Sequence, residues 1–123
     1  MPYNIILIFS ILFIPTSVLS GEKRVLKVTA TAYNSVKGQT DKTPNLAAWN
    51  NKLIPGMKTI AVSRDLLKVG LTNGVQVKIS GLSGTYIVRD KMNKRWREKI
   101  DIYMGIDIQA ARNWGKRQVY IQW

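Results

Sequence analysis

The stretch VRDKMNKRWREKIDIYMG, Val88 to Gly105, carries the reading of this chain. It begins at the end of one apolar run and finishes inside another. Asp90 and Asp101 stand on either side of Lys91, Lys94, Arg95, Arg97 and Lys99, with Glu98 the only acid between them. KIDIYMG (Lys99–Gly105) has the alternation of a strand, so Ile100 and Ile102 share one face and Asp101 points to the other. Two carboxylates held by a basic loop are either surface ion partners, Asp101 pairing with Lys99 or Arg97, or a pair that handles a proton beside a bound polymer.

Working outward, VQVKIS (Val75–Ser80) and GTYIVRD (Gly84–Asp90) read as two strands joined by the Gly81–Gly84 turn, a hairpin by spacing. RVLKVTATAYN (Arg24–Asn34) alternates with β-branched enrichment, and TIAVS (Thr59–Ser63) is a short strand. RDLLKVGLTNG (Arg64–Gly74) holds at most one helical turn before the Asn73-Gly74 turn. Between the first two strands lies SVKGQTDKTPNLAAWNNKLIPGMK (Ser35–Lys58), broken by Gly38, Pro44, Pro55 and Gly56, and long for a connection without a role. IDIQAARNWG (Ile106–Gly115) reads as a short helix with Gly115 as its stop, and QVYIQW (Gln118–Trp123) as the last strand. Six short strands and one or two short helices predict a mainly β chain closed into a small barrel.

The chain has 123 residues and a formal net charge of +12, from 19 Lys and Arg against 7 Asp and Glu. MPYNIILIFSILFIPTSVLS has the apolar length of a signal peptide, short of the roughly 20 residues of a membrane span, with cleavage expected after Ser20. Its n-region has no Lys or Arg, so an uncleaved anchor is the alternative. Residues Gly21–Trp123 then form one exported domain in the periplasm, cell wall or outer-membrane region, expected as a monomer. So basic a surface calls for an acidic partner, and export argues against nucleic acid and for anionic envelope polymers. There is no Cys, hence no disulfide staple. There is no His, which excludes the usual zinc sites and every His-dependent nucleophile scheme. Neither a metal nor another cofactor is expected, and acid–base chemistry falls to carboxylates, Lys or Tyr.

Of the five aspartates, Asp107 sits where a carboxylate caps a helix, and Asp41 in QTDKTP suits either an Asx turn or a substrate loop. Asp65, Asp90 and Asp101 lie at the end of or inside the apolar segments AVSRD, YIVRD and KIDIY. A carboxylate there is costly unless paired or hydrogen-bonded. Two such groups close together raise the apparent pKa of one, which is what a general acid near neutral pH needs.

TATAYN, the TD and Pro of TDKTP, PGMKTIAVSRDL, YIVRDKM, KIDIYMG and AARNWGKRQVYIQW, in this order, resemble the 3D domain, named for three aspartates. The resemblance spans roughly Val28–Trp123. It implies a six-stranded double-psi β-barrel, shared with the catalytic part of MltA-type lytic transglycosylases and with stationary-phase survival proteins. It further implies cleavage of the β-1,4 bond between N-acetylmuramic acid and N-acetylglucosamine in peptidoglycan glycan strands, leaving 1,6-anhydro ends. The three aspartates fall on Asp65, Asp90 and Asp101. On this resemblance Asp101 takes the acid–base role with Asp90 as its charge partner, or the two exchange roles, and Asp65 orients the site or binds sugar. DKMN (Asp90–Asn93) replaces the family's usual DTGG, and Asp65-Leu66 replaces Asp-Pro. The alternative on the same fold is a glycan-binding or wall-remodelling barrel of the expansin type, without cleavage.

Substrate contacts are expected from Thr31 and Tyr33 in TATAY, from Asp41, and from Lys91, Arg95 and Trp96 in the basic loop. Tyr33 also suits a half-core position, and Lys91 and Arg95 a solvated face. Trp49 is the next aromatic candidate, whereas Trp114 and Trp123 lie in apolar-periodic elements and belong to the core.

Overall fold

The computed structural model describes residues 23–35 and 47–123, so the expected signal peptide and Asp41 lie outside the described residues. Six strands follow in order: β1 (Val25–Tyr33), β2 (Thr59–Val62), β3 (Gln76–Ile79), β4 (Tyr86–Lys91), β5 (Lys99–Tyr103) and β6 (Arg117–Gln122). Between them lie the helices α1 (Arg64–Leu67) and α2 (Ile108–Trp114) and a 3-10 turn at Ala48–Asn50. The strands close in the order β1-β5-β2-β4-β3-β6, the double-psi barrel expected from the motifs. β1 runs parallel to β5 and β2 parallel to β4, while the other four pairings are antiparallel.

A parallel neighbour cannot be reached through a tight turn, so the chain must cross over. It leaves β1 through the long Ser35–Lys58 connection and reaches β5, the parallel partner of β1, only after three other strands are laid down. Closure leaves no free edge among the described strands, which suits a barrel whose sequence has no cysteine to staple it.

The core follows the period of two. Each strand sends alternate residues inward: Val28 and Ala30, Ile60 and Val62, Val77 and Ile79, Tyr86 and Val88, Ile100 and Ile102, Val119 and Ile121. Leu66 of α1 and Trp114 of α2 join them, and Trp123 packs on the margin. The Trp114 indole is satisfied inside, its Nε1–H donating to the Ala30 carbonyl at 3.1 Å. β2 is buried along its whole length, its apolar Ile60–Val62 together with Thr59.

The end of β1 is tied to the β5–α2 connection by one buried side chain. Asn34 is 2% exposed, and its Nδ2 donates to the carbonyls of Met104, Gly105 and Asp107 at 3.1–3.2 Å. Asp107 caps α2 as expected, accepting from the Ala110 N–H at 3.0 Å, and Gly115 at φ +66° ends the helix. Gly105 has φ +56°, and a Cβ there would lie 3.0 Å from the Pro55 Cα. Gly105→Ala therefore meets both a left-handed backbone and a clash with main chain, and is expected to lose about 1–2 kcal/mol. A urea midpoint equal to wild type would show that the loop relaxes freely. No helix among the described residues is long and apolar enough to cross a membrane.

Candidate functional site

Strand register assembles the site. Thr31 of β1 lies opposite Asp101 of β5, Asp101 opposite Ala61 of β2, and Ala61 opposite Asp90 of β4. One row across four adjacent strands thus reads Thr31, Asp101, Ala61, Asp90. Its inward neighbours Ala30, Ile100, Ile102, Ile60 and Val62 fill the core, so the row faces the outer side of the barrel. Two interstrand steps of ~4.8 Å put the two aspartate Cα atoms about 10 Å apart, with Ala61 on the strand between them.

Asp90 reaches this row through an irregularity. From the buried Val88, strict alternation would send Asp90 into the core. The β2–β4 register shifts between Ile60 and Ala61, so Ile60 pairs with Val88 but Ala61 pairs with Asp90, skipping Arg89. This β-bulge turns the carboxylate outward beside Asp101.

The two carboxylates are held differently. Asp101 Oδ1 accepts from the Thr31 hydroxyl at 2.9 Å. Asp90 Oδ1 accepts from the Ala48 N–H at 2.8 Å and from the Lys91 N–H at 2.9 Å, while the Tyr33 hydroxyl makes a long approach of 3.5 Å to Oδ2. Burial pushes the Asp101 carboxyl above its ordinary pKa and the Asp90 charge adds to this, against the opposing pull of the Thr31 hydrogen bond and Lys99. Burial and the same two aspartates drive the Tyr33 phenol far up, so Tyr33 stays protonated beside both. Its ring packs on Ala47, Leu53 and Tyr103, the half-core position expected of it.

A carboxyl whose folded pKa lies above its unfolded value contributes its full stability below the unfolded pKa and loses it as pH rises through the folded one. Asp101→Asn should therefore melt above wild type at neutral pH, and the two curves should converge on acidification below the ordinary aspartate range. A variant that melts lower at neutral pH would show that Thr31 and Lys99 already offset the cost of burial.

Asp65 lies apart from the row. It sits in the first turn of α1, and its Oδ2 accepts from the Glu98 N–H at 2.9 Å, at the entry to β5. Burial opposes its charge, but hydrogen bonds from Ser63 and from the Glu98 and Asp65 backbones outweigh it and Arg97 adds to them, so its carboxyl titrates below the ordinary value. Lys91 lies over the Trp49 ring at 5.5 Å. Arg95 and Lys99 lie over Trp96 at 4.8 and 3.7 Å.

Three contributors escaped the reading of the sequence. Ala61 separates the carboxylates, and nothing distinguishes it in TIAVS except its small size. Ala48 brings a backbone N–H to Asp90, and Asn51 ties the same segment to β4 by donating to the Arg89 carbonyl at 2.8 Å. Trp49 takes the left-handed region at φ 58°, and its ring lies under Lys91, the residue after Asp90. The WNN run was the only local signal, since Asn tolerates such turns. Among the described residues, no three acidic side chains gather as a metal site.

No protein-family model and no curated protein matches this chain. Solved structures do share its fold. An expansin from Clavibacter michiganensis, in its apo form, superposes with a TM-score of 0.53 at 18% identity, covering 80% of this chain and 49% of the expansin. An aspartate-to-asparagine mutant of that expansin in complex with cellohexaose gives 0.51 at 18% identity and the same coverage. A Streptomyces papain inhibitor gives 0.50 at 21% identity, over 80% of this chain and 92% of the inhibitor. This chain thus spans about half the length of the expansin, and at these identities the likeness is one of fold alone.

Proposed function

We propose that this protein is exported to the cell envelope, binds a β-1,4-linked wall glycan across the Thr31–Asp101–Ala61–Asp90 row, and cleaves it as a lytic transglycosylase. The observation that carries this reading is the register that sets two carboxylates on either side of one alanine. Carboxylate pairs that act across a glycosidic bond lie about 5–10 Å apart, a span open to side chains whose Cα atoms are two strands apart. Protonated Asp101 gives its proton to the leaving glycosidic oxygen as the C1–O bond breaks. Ionised Asp90 stabilises the positive charge that develops on the sugar. The C6 hydroxyl of the same sugar then attacks C1 and returns its proton to Asp101, closing the 1,6-anhydro ring. The Ala48 and Lys91 N–H groups hold Asp90, and the resemblance to 3D domains supplies peptidoglycan as the polymer.

The likeness to an expansin solved with cellohexaose supports glycan binding, whereas cleavage rests on the carboxylates. A glycan-binding barrel without cleavage is therefore the second reading. Incubation of the protein with isolated sacculi, beside Asp101→Asn, separates the two. Anhydro-muropeptides from wild type alone establish cleavage. No soluble product from either protein, with sacculus binding retained, makes this a binding barrel.

A further inference from the structure

We propose that the Lys91–Lys99 segment docks fixed anionic groups on the glycan, carboxylate or phosphate, so that this protein selects acidic wall polymers over neutral ones. The inference rests on glycan binding at the Asp90–Asp101 row, and it names the substrate class that row receives. Five cations fall within nine residues, with Glu98 the only acid among them. Lys94, Arg95 and Arg97 are exposed.

The segment is built rather than merely charged. At its start the Met92 N–H donates to the Val62 carbonyl at 2.8 Å, and the Arg64 Nε donates to the Met92 carbonyl at 3.0 Å. In its middle the Arg95 N–H donates to Asn93 Oδ1 and the Trp96 N–H to the Asn93 carbonyl, at 3.0 and 3.1 Å. At its end Asp65 accepts from the Glu98 N–H. Cations held in place before the ligand arrives lose less entropy on binding.

Trp96 sharpens the choice of ligand. With Lys99 3.7 Å from its centroid and Arg95 at 4.8 Å, the ring is already engaged by cations and holds them in position. A neutral sugar would have to displace this contact to stack there. An anionic group meets two ordered charges instead. The segment runs directly from Asp90 on β4 to Asp101 on β5, so a strand docked on it passes the carboxylate row. A glycan bearing only hydroxyls gains nothing from these charges.

Binding of the full chain is measured by titration against cellulose bearing carboxymethyl groups, cellulose bearing phosphate groups, neutral hydroxyethyl cellulose, and phosphatidylglycerol vesicles. Two triple variants lose the same charge at different places: Lys94→Gln/Arg95→Gln/Arg97→Gln in the loop, and Lys68→Gln/Arg112→Gln/Lys116→Gln elsewhere. Loss of three exposed charge contacts is expected to weaken binding of the loop variant about tenfold. Less than about threefold is expected for the control, with the wild-type preference for charged cellulose fading at high salt. The relative affinity of the two charged celluloses identifies carboxylate or phosphate as the favoured group. Charge-retaining Lys94→Arg should bind like wild type, which separates lost charge from a misfolded loop.

Equal affinity for neutral and charged cellulose overturns the proposal. So does a control variant that loses as much as the loop variant, or tighter loop-dependent binding to the vesicles than to any glycan. Selective binding without release from sacculi would leave this inference standing and remove cleavage. Release from sacculi with no preference for charge would do the reverse.

Discussion

Asp101→Asn is expected to lower release of anhydro-muropeptides by about 10²–10⁴-fold, the range lost when a positioned general acid–base group is removed. Asn keeps the shape and still accepts from Thr31, so binding to sacculi should hold within about threefold while the chemistry stops. The wild-type rate should fall as pH rises through the Asp101 titration, because the leaving oxygen needs a protonated acid. Burial places that limb above the ordinary aspartate range. Lys99 pulls the Asp101 pKa down, so Lys99→Gln should move the limb to higher pH. A variant that loses binding and release together would mark Asp101 as a binding group. An unmoved limb in Lys99→Gln would assign the titration to another residue.

Asn34→Ala is expected to destabilise the barrel by about 3 kcal/mol. One side-chain amide serves three carbonyls at the β5–α2 connection, and Asn34 itself is 2% exposed. Alanine removes all three bonds at about 1 kcal/mol each, while the carbonyls of Met104, Gly105 and Asp107 keep the backbone N–H groups of Asp107, Ser35 and Ala111 as donors. In a domain of this size 1 kcal/mol moves the melting point by about 4–8 °C, so a drop of more than 10 °C is expected. Asp101 lies upstream on β5, and Asp101→Asn has the opposite sign of effect at neutral pH. Thermal melts of the two variants side by side distinguish a lost clamp from relieved charge burial. An Asn34→Ala protein that melts with wild type would show that water replaces the amide.

Most of the barrel was legible because its signal is local. A strand with one face in the core must alternate, and LKVTATAY, QVKI and KIDIY do so whatever they pair with. The outward direction of Asp101 follows from Ile100 and Ile102 alone. Asp90 did not follow, since alternation from Val88 points it inward, and only pairing with β2 reveals the bulge that reverses it. Asp65 read as an equal of the other two because its motif is equally apolar. Its carboxylate anchors the Glu98 N–H at the foot of the basic loop, a partnership between residues far apart in sequence.

The sequence by itself determined the strand set, the inward face shared by Ile100 and Ile102, the absence of histidine and cysteine, and the basic charge, since each depends on composition or on a period of two. Only the tertiary structure decided that Thr31, Asp101, Ala61 and Asp90 form one row, that the Ala48 N–H holds Asp90, and that Arg95 and Lys99 lie over Trp96. The physical reason is that register, bulges and parallel pairing belong to strand pairs, and no single strand encodes its neighbour.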